Sequence, residues 1–115
     1  MSRRSEVLLW GAQRISAMVL ALCVLVHLVT MIYAVRSGLS AAEILGRTQG
    51  SVAWFAFYTL FVIAVAVHAP IGLRTIVGEM WNWRGRGLDV LTAVIGLSLA
   101  MWGMRAVFAV FGGGA

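Results

Sequence analysis

The chain has 115 residues, of which 62% are hydrophobic and only 11% are charged. A water-soluble domain of this size carries about a quarter charged residues, so the composition excludes one. The net charge of +5 is not a nucleic-acid signature here, because the arginines lie between long charge-free runs.

Residues 1–12 read as a short basic lead, with a partly helical interfacial stretch at Val7 to Trp10. The opening "MSRRSEVLLWGAQRISAMVLALCVLV" has the basic-then-apolar order of a secretory signal. Its apolar run outlasts a signal peptide and no small-x-small cleavage site follows, so the first helix is expected to be retained. Leu22 before Cys23 also makes a poor acylation site, and one cysteine cannot form an internal disulfide. Helix I, about 14–36, contains the charge-free run Ile15 to Val35. Loop one, "RSGLSAAEILGRTQGS", has room for a short amphipathic turn around Ala41 to Leu45. Helix II, about 51–75, contains the charge-free run Thr48 to Leu73. Loop two, "EMWNWRGRGLD", is rich in arginine, glycine and tryptophan. Helix III, about 88–111, is interrupted only by Asp89 at its start and Arg105 inside it. The tail "GGGA" is expected to fray. Each apolar segment reaches the ~20 residues needed to cross a bilayer as a helix. The expected fold class is all-α integral membrane, with three transmembrane helices in one domain spanning 1–115 and no linker.

Basic residues orient membrane helices toward the cytoplasm. Arg3, Arg4 and Arg14 precede helix I, and Arg74, Arg84 and Arg86 follow helix II, against only Arg36 and Arg47 in loop one. The N-terminus and loop two are therefore expected in the cytoplasm, with loop one and the C-terminus on the outer side. Trp10, Trp81 and Trp83 fall at the cytoplasmic border, where indoles commonly sit.

Three ionisable residues lie inside the spans: His27, His68 and Arg105. Such residues are costly in lipid and mark interiors or functional sites. On helix I, Ser16, Cys23, His27 and Thr30 fall on one face at helical spacing, as a helix-packing stripe also would. On helix II, Trp54, Phe57, Phe61, Ala64, His68 and Gly72 share a face. Pro70 is expected to kink the helix beside His68, and Gly72 leaves room one turn further on. Imidazole is a good iron ligand, and two histidines suit a b-type haem with a flat macrocycle against the helix. Arg74 at the border fits a propionate partner, and equally a snorkelling arginine. Arg105, about 9 Å inside the outer end, has the same two readings, with a propionate near His27 as its partner.

Depth separates the two histidines. From the cytoplasmic end, His27 lies at about 20 Å and His68 at about 9 Å. They are not expected to share one haem, so each needs a second ligand from another chain.

"HAPIGLR", His68 to Arg74, resembles the H-x-x-x-G-x-R signature of the cytochrome b membrane-anchor subunits of succinate dehydrogenase and fumarate reductase. "AQRISA", Ala12 to Ala17, resembles that family's H-R-x-S-G element, with Gln13 in place of histidine and Ala17 in place of glycine. "TIVGEMW" also departs from the usual continuation after Arg74. The resemblance implies that His68 ligates haem b, with Gly72 and Arg74 beside it. It implies quinone-site roles for Arg14 and Ser16, and a second, outer haem at His27 in the diheme branch. The implied protein anchors a succinate dehydrogenase/fumarate reductase-like complex and carries electrons between an iron–sulfur subunit and membrane quinone. It does not itself perform the dicarboxylate chemistry. Its partners would be a flavoprotein subunit, the iron–sulfur subunit, and a second anchor or second copy of this chain. Its place would be the bacterial cytoplasmic (inner) membrane, as a multi-pass protein. Two other classes remain: a haem-free anchor or assembly protein, and a small transporter subunit. The transporter reading calls for more intramembrane carboxylates, and the spans hold none.

Overall fold

The computed structural model describes residues 2–112, so of the glycine-rich tail only Gly112 is included. Four helices follow in order: α1 (Arg3–Arg36), α2 (Ala41–Thr48), α3 (Val52–Trp81) and α4 (Arg86–Gly112). Of these α1, α3 and α4 are long and apolar enough to cross a membrane. They extend beyond the charge-free runs into the polar flanks. The N-terminal lead in particular is continuous helix from Arg3, with Ser2 accepting the Ser5 amide as N-cap. An uninterrupted helix leaves no backbone polar group without a partner as the chain enters lipid, which favours starting it in the flank.

α3 is the central helix, packed on α1 along one side and on α4 along the other. The molecule measures 49 × 26 × 24 Å. Its long axis matches a bilayer with its headgroup regions, about 40–45 Å thick. Few side chains are buried, and Leu22, Leu97 and Met101 are 64%, 69% and 70% exposed. In water that surface would aggregate; in lipid it is the expected outer face.

With lipid as solvent, helices associate through close packing of small residues rather than through apolar burial. The α3–α4 seam is built this way. A Cβ placed at Gly96 would stand 3.0 Å from the Pro70 ring and 3.2 Å from the Ala66 carbonyl oxygen. One at Gly103 would stand 2.6 Å from a Val62 methyl. Pro70 therefore lies within one continuous helix, and its ring fills the space that Gly96 leaves. Thr92, buried on α4, donates its hydroxyl to the Leu88 carbonyl at 3.0 Å, so it needs no partner across the seam. At the far end Phe55 packs on Phe108 and Phe111, with ring centroids 5.5 and 4.9 Å apart.

The stripe on α1 forms the other seam. Ser16 and Cys23 are buried, as is Ala64 on α3. Thr30 turns its hydroxyl back to the His27 carbonyl at 2.8 Å.

α1 ends where Gly38 takes φ +66°, which allows the Leu39 amide to reach back to the Ala34 carbonyl at 3.0 Å. The short amphipathic turn expected in loop one is a full helix, α2, closed by a reciprocal Ser40–Glu43 capping box. It is tied to the end of α4 by Thr48, whose hydroxyl donates to the Val110 carbonyl at 2.9 Å. The Gly50 amide donates to the Phe111 carbonyl at 3.0 Å. The Ser40 backbone N–H, then the Ser40 side chain and Arg47, hold the Glu43 carboxyl below the usual carboxylate range. A carboxylate with a depressed folded pKa stabilises above its ordinary value of about 4.3 and loses that contribution as pH falls through the lower one. Protection of the first amides of α2 against hydrogen exchange, relative to the intrinsic rate, is therefore expected to fall in acid. Glu43→Ala should raise exchange at neutral pH and abolish that acid response.

Candidate haem and quinone site

His68 faces the α1–α3 seam, half-buried, with its Nδ1 3.4 Å from Ser16 Oγ. The Ser16 hydroxyl also donates to the Gln13 carbonyl at 3.1 Å, one helical turn back. One turn along α3, Gly72 meets α1 again, where a Cβ would stand 3.1 Å from the Gln13 amide nitrogen. The glycine thus receives a side chain of its own protein, which the sequence did not signal. The Oε1 of that same Gln13 is buried without a hydrogen-bond partner. A buried acceptor left unpaired is costly, and it marks a place where a donor from elsewhere would be welcome.

Below this level Arg74 donates from Nε to Asp89 Oδ1 at 2.7 Å, joining α3 to the first turn of α4. Its side chain is 28% exposed. Among the described residues its terminal amino groups have no hydrogen-bond partner, so the fork remains open to a second carboxylate. Asp89 was legible only as an isolated charge; that it answers Arg74 follows from the tight turn between α3 and α4. In that turn Asn82 has φ 52° and Gly85 φ +116°. A cavity of about 470 Å³ lies beside Arg74, lined by Glu6, Trp10, Gln13, Gly72 and Thr75 among others.

Arg14 and Ser16 do not converge. Ser16 is buried in the seam, whereas Arg14 is exposed with its guanidinium 5.4 Å from the Trp10 ring centre. Two residues apart on a helix is about 200°, so the two side chains leave α1 on opposite faces.

His27 is held further along the same seam. Its ring meets Tyr58 and Phe61 edge-on, at centroid distances of 5.9 and 5.8 Å. It opens on a cavity of about 610 Å³ reached by Tyr58, Phe61, Trp102 and Gly103, with Leu45 and Thr48 of α2 at its mouth. Arg105 is outside that lining, exposed, with its guanidinium 5.7 Å from the Trp102 ring centre. Trp102 and Gly103 were not singled out from sequence, and α2 was expected only as a short amphipathic turn.

The pairings Gln13–Gly72, Ser16–His68 and His27–Phe61 run in step, as antiparallel helices require. His27 lies eleven residues along α1 from Ser16, about 16 Å; Tyr58 and Phe61 lie about 15 and 10 Å along α3 from His68. The two imidazoles therefore occupy separate levels, about 10–16 Å apart along the helices. Among the described residues there is also no group of three or more His, Cys, Asp or Glu side chains that could hold a metal ion.

A family model described as "Succinate dehydrogenase/Fumarate reductase transmembrane subunit" matches residues 1–112. The chain belongs to that family. Comparison with curated proteins gave no match, and comparison with solved structures gave none. As a succinate dehydrogenase/fumarate reductase transmembrane subunit, it is a multi-pass membrane protein. Membership implies association with the flavoprotein and iron–sulfur subunits of such a complex. In this anchor subunit the "HAPIGLR" stretch, from which the resemblance was read, runs through the core of α3.

The donor chemistry fits a haem iron at the level of His68. With Nδ1 engaged by Ser16, the second ring nitrogen is left for a ligand. The open Arg74 fork suits a carboxylate at the border. Only the space beside Gly72 is shared, because the Gln13 carboxamide stands there.

Proposed function

We propose that this subunit binds haem b through His68 and carries electrons between the iron–sulfur subunit and membrane quinone. The observation that supports this most is the placement of His68, half-buried on the α1–α3 seam with Ser16 at Nδ1. Haem bound there would supply a one-electron carrier within the membrane. The chain's own part is to orient the imidazole, with Gly72 one turn along, and to present Arg74 to a propionate; Pro70 lies on the other side of α3, against Gly96. His27 is the proposed ligand of a second, outer haem, with Arg105 as its counter-charge. Neither histidine has a second histidine at its level, so a second histidine for either would have to come from another anchor or a second copy of this chain.

The N-terminus and the α3–α4 turn face the cytoplasm in this reading, with the C-terminus outside, in a bacterial cytoplasmic membrane. That places Arg3, Arg4, Arg84 and Arg86, with Trp81 and Trp83, where the iron–sulfur subunit would dock. Quinone would sit at the same border, with Arg14 as a donor. The unpaired Gln13 Oε1 would accept from a quinol hydroxyl.

A haem-free anchor is the second reading, and one observation favours it. Gln13 already accounts for the missing side chain at Gly72, so that glycine does not require a macrocycle. Gentle purification of the tagged chain tests the assembly. Flavoprotein and iron–sulfur subunits are expected to co-purify, and their absence under several detergents would refute the role in such a complex.

A further inference from the structure

We infer that Ser16 is a positioning residue for His68: it fixes the neutral imidazole in the Nδ1–H tautomer and leaves Nε2 bare. A serine hydroxyl has one proton to give. Here that proton is directed to the Gln13 carbonyl, 3.1 Å away along the same helix. What Ser16 turns toward His68 is therefore a lone pair, and the Nδ1 atom 3.4 Å away must supply the hydrogen. A neutral imidazole carries only one N–H, so Nε2 is then an acceptor and a metal ligand in waiting.

Burial makes this assignment durable. Ser16 is 6% exposed, so neither water nor a lipid headgroup competes for its lone pairs. At 3.4 Å the contact lies just beyond the usual range of about 2.7–3.2 Å for an N–H···O bond, within reach of a small rotation of the ring. Ser16 is thus accounted for within the seam, while Arg14 on the opposite face keeps its access to a membrane ligand. Partners that bond the unligated nitrogen of a metal-bound histidine set its orientation and raise its basicity, and losing one costs metal affinity about 10–100-fold.

The consequence for iron rests on the haem reading above, but the tautomer itself does not, and the test separates them. The sequence has only two histidines, so nitrogen-15 histidine labelling of the full chain in a His27→Phe background reports on His68 alone. In haem-free protein with the ring neutral, Nδ1 is expected to be protonated and Nε2 not. Ser16→Ala is expected to lose that preference, and Ser16→Thr, which keeps the hydroxyl, to retain it. An Nε2–H tautomer in the otherwise unaltered chain would overturn the inference. So would an Nδ1–H tautomer that persists unchanged in Ser16→Ala. In the assembled complex Ser16→Ala is expected to weaken haem retention and shift the midpoint potential upward, because a less basic imidazole stabilises the ferric state less. An unmoved potential would overturn the positioning role. Absence of haem from every variant would refute the haem reading, while the nitrogen spectra would still decide the tautomer.

Discussion

On the proposed haem reading, His68→Ala is expected to abolish haem binding at the His68 level. Changes in the shell around a metal-binding histidine alone cost about 10–100-fold in affinity, so loss of the ligand itself should exceed that range. The readout is haem per chain and the low-spin spectral signature of the purified complex. His27→Ala is the internal control. Its ring lies with Tyr58 and Phe61 rather than with Ser16, about 10–16 Å away along the helices. The inner signal should survive that change, whereas the outer one should not. A shared iron would make the two substitutions equivalent, and that outcome would contradict the assignment of the two histidines to separate haems.

Gly103→Ala is the second large effect, and it bears on the fold rather than on iron. The new methyl would arrive 2.6 and 2.9 Å from the two methyls of Val62. Valine on a helix has one strongly preferred rotamer, so it cannot swing aside cheaply. Overpacking of this kind costs about 1–3 kcal/mol, offset in part by alanine's helix preference over glycine of about 1 kcal/mol. Gly103→Val has no comparable offset and should be worse. Combining Gly103→Ala with Val62→Ala should restore most of the loss in thermal melting of the complex. If the double variant is no better than Gly103→Ala, the α3–α4 contact lies elsewhere.

The three spans were legible because charge is absent from long runs and present between them. The relative depth of His27 and His68 was legible too, since rise per residue and opposite helix directions are enough to order two points. Ser16, Cys23, His27 and Thr30 share a face by periodicity, and that face does meet α3, with Ser16 and Cys23 buried there. The Ser40-x-x-Glu43 pattern at α2 was read as a turn, although it is the signature of a capped helix start.

What escaped the sequence has a common cause. α4 is apolar on every side, so its composition does not say which side packs on α3. That left Gly96, Gly103 and Trp102 unremarked. Nor can spacing say which side chain fills a neighbour's gap, and Gln13 at Gly72 is a three-dimensional coincidence of register. Asp89 needed the α3–α4 turn to be closed before it could be matched to Arg74.

Haem binding at His68 is tested most directly by the reduced-minus-oxidised spectrum of the purified wild-type complex from haem-sufficient cells, with haem quantified per anchor chain. A b-type alpha band with stoichiometric haem is the expected result. A complex that contains its flavoprotein and iron–sulfur subunits yet shows no such band would contradict it, and would leave His68 and Ser16 as a hydrogen bond between two helices.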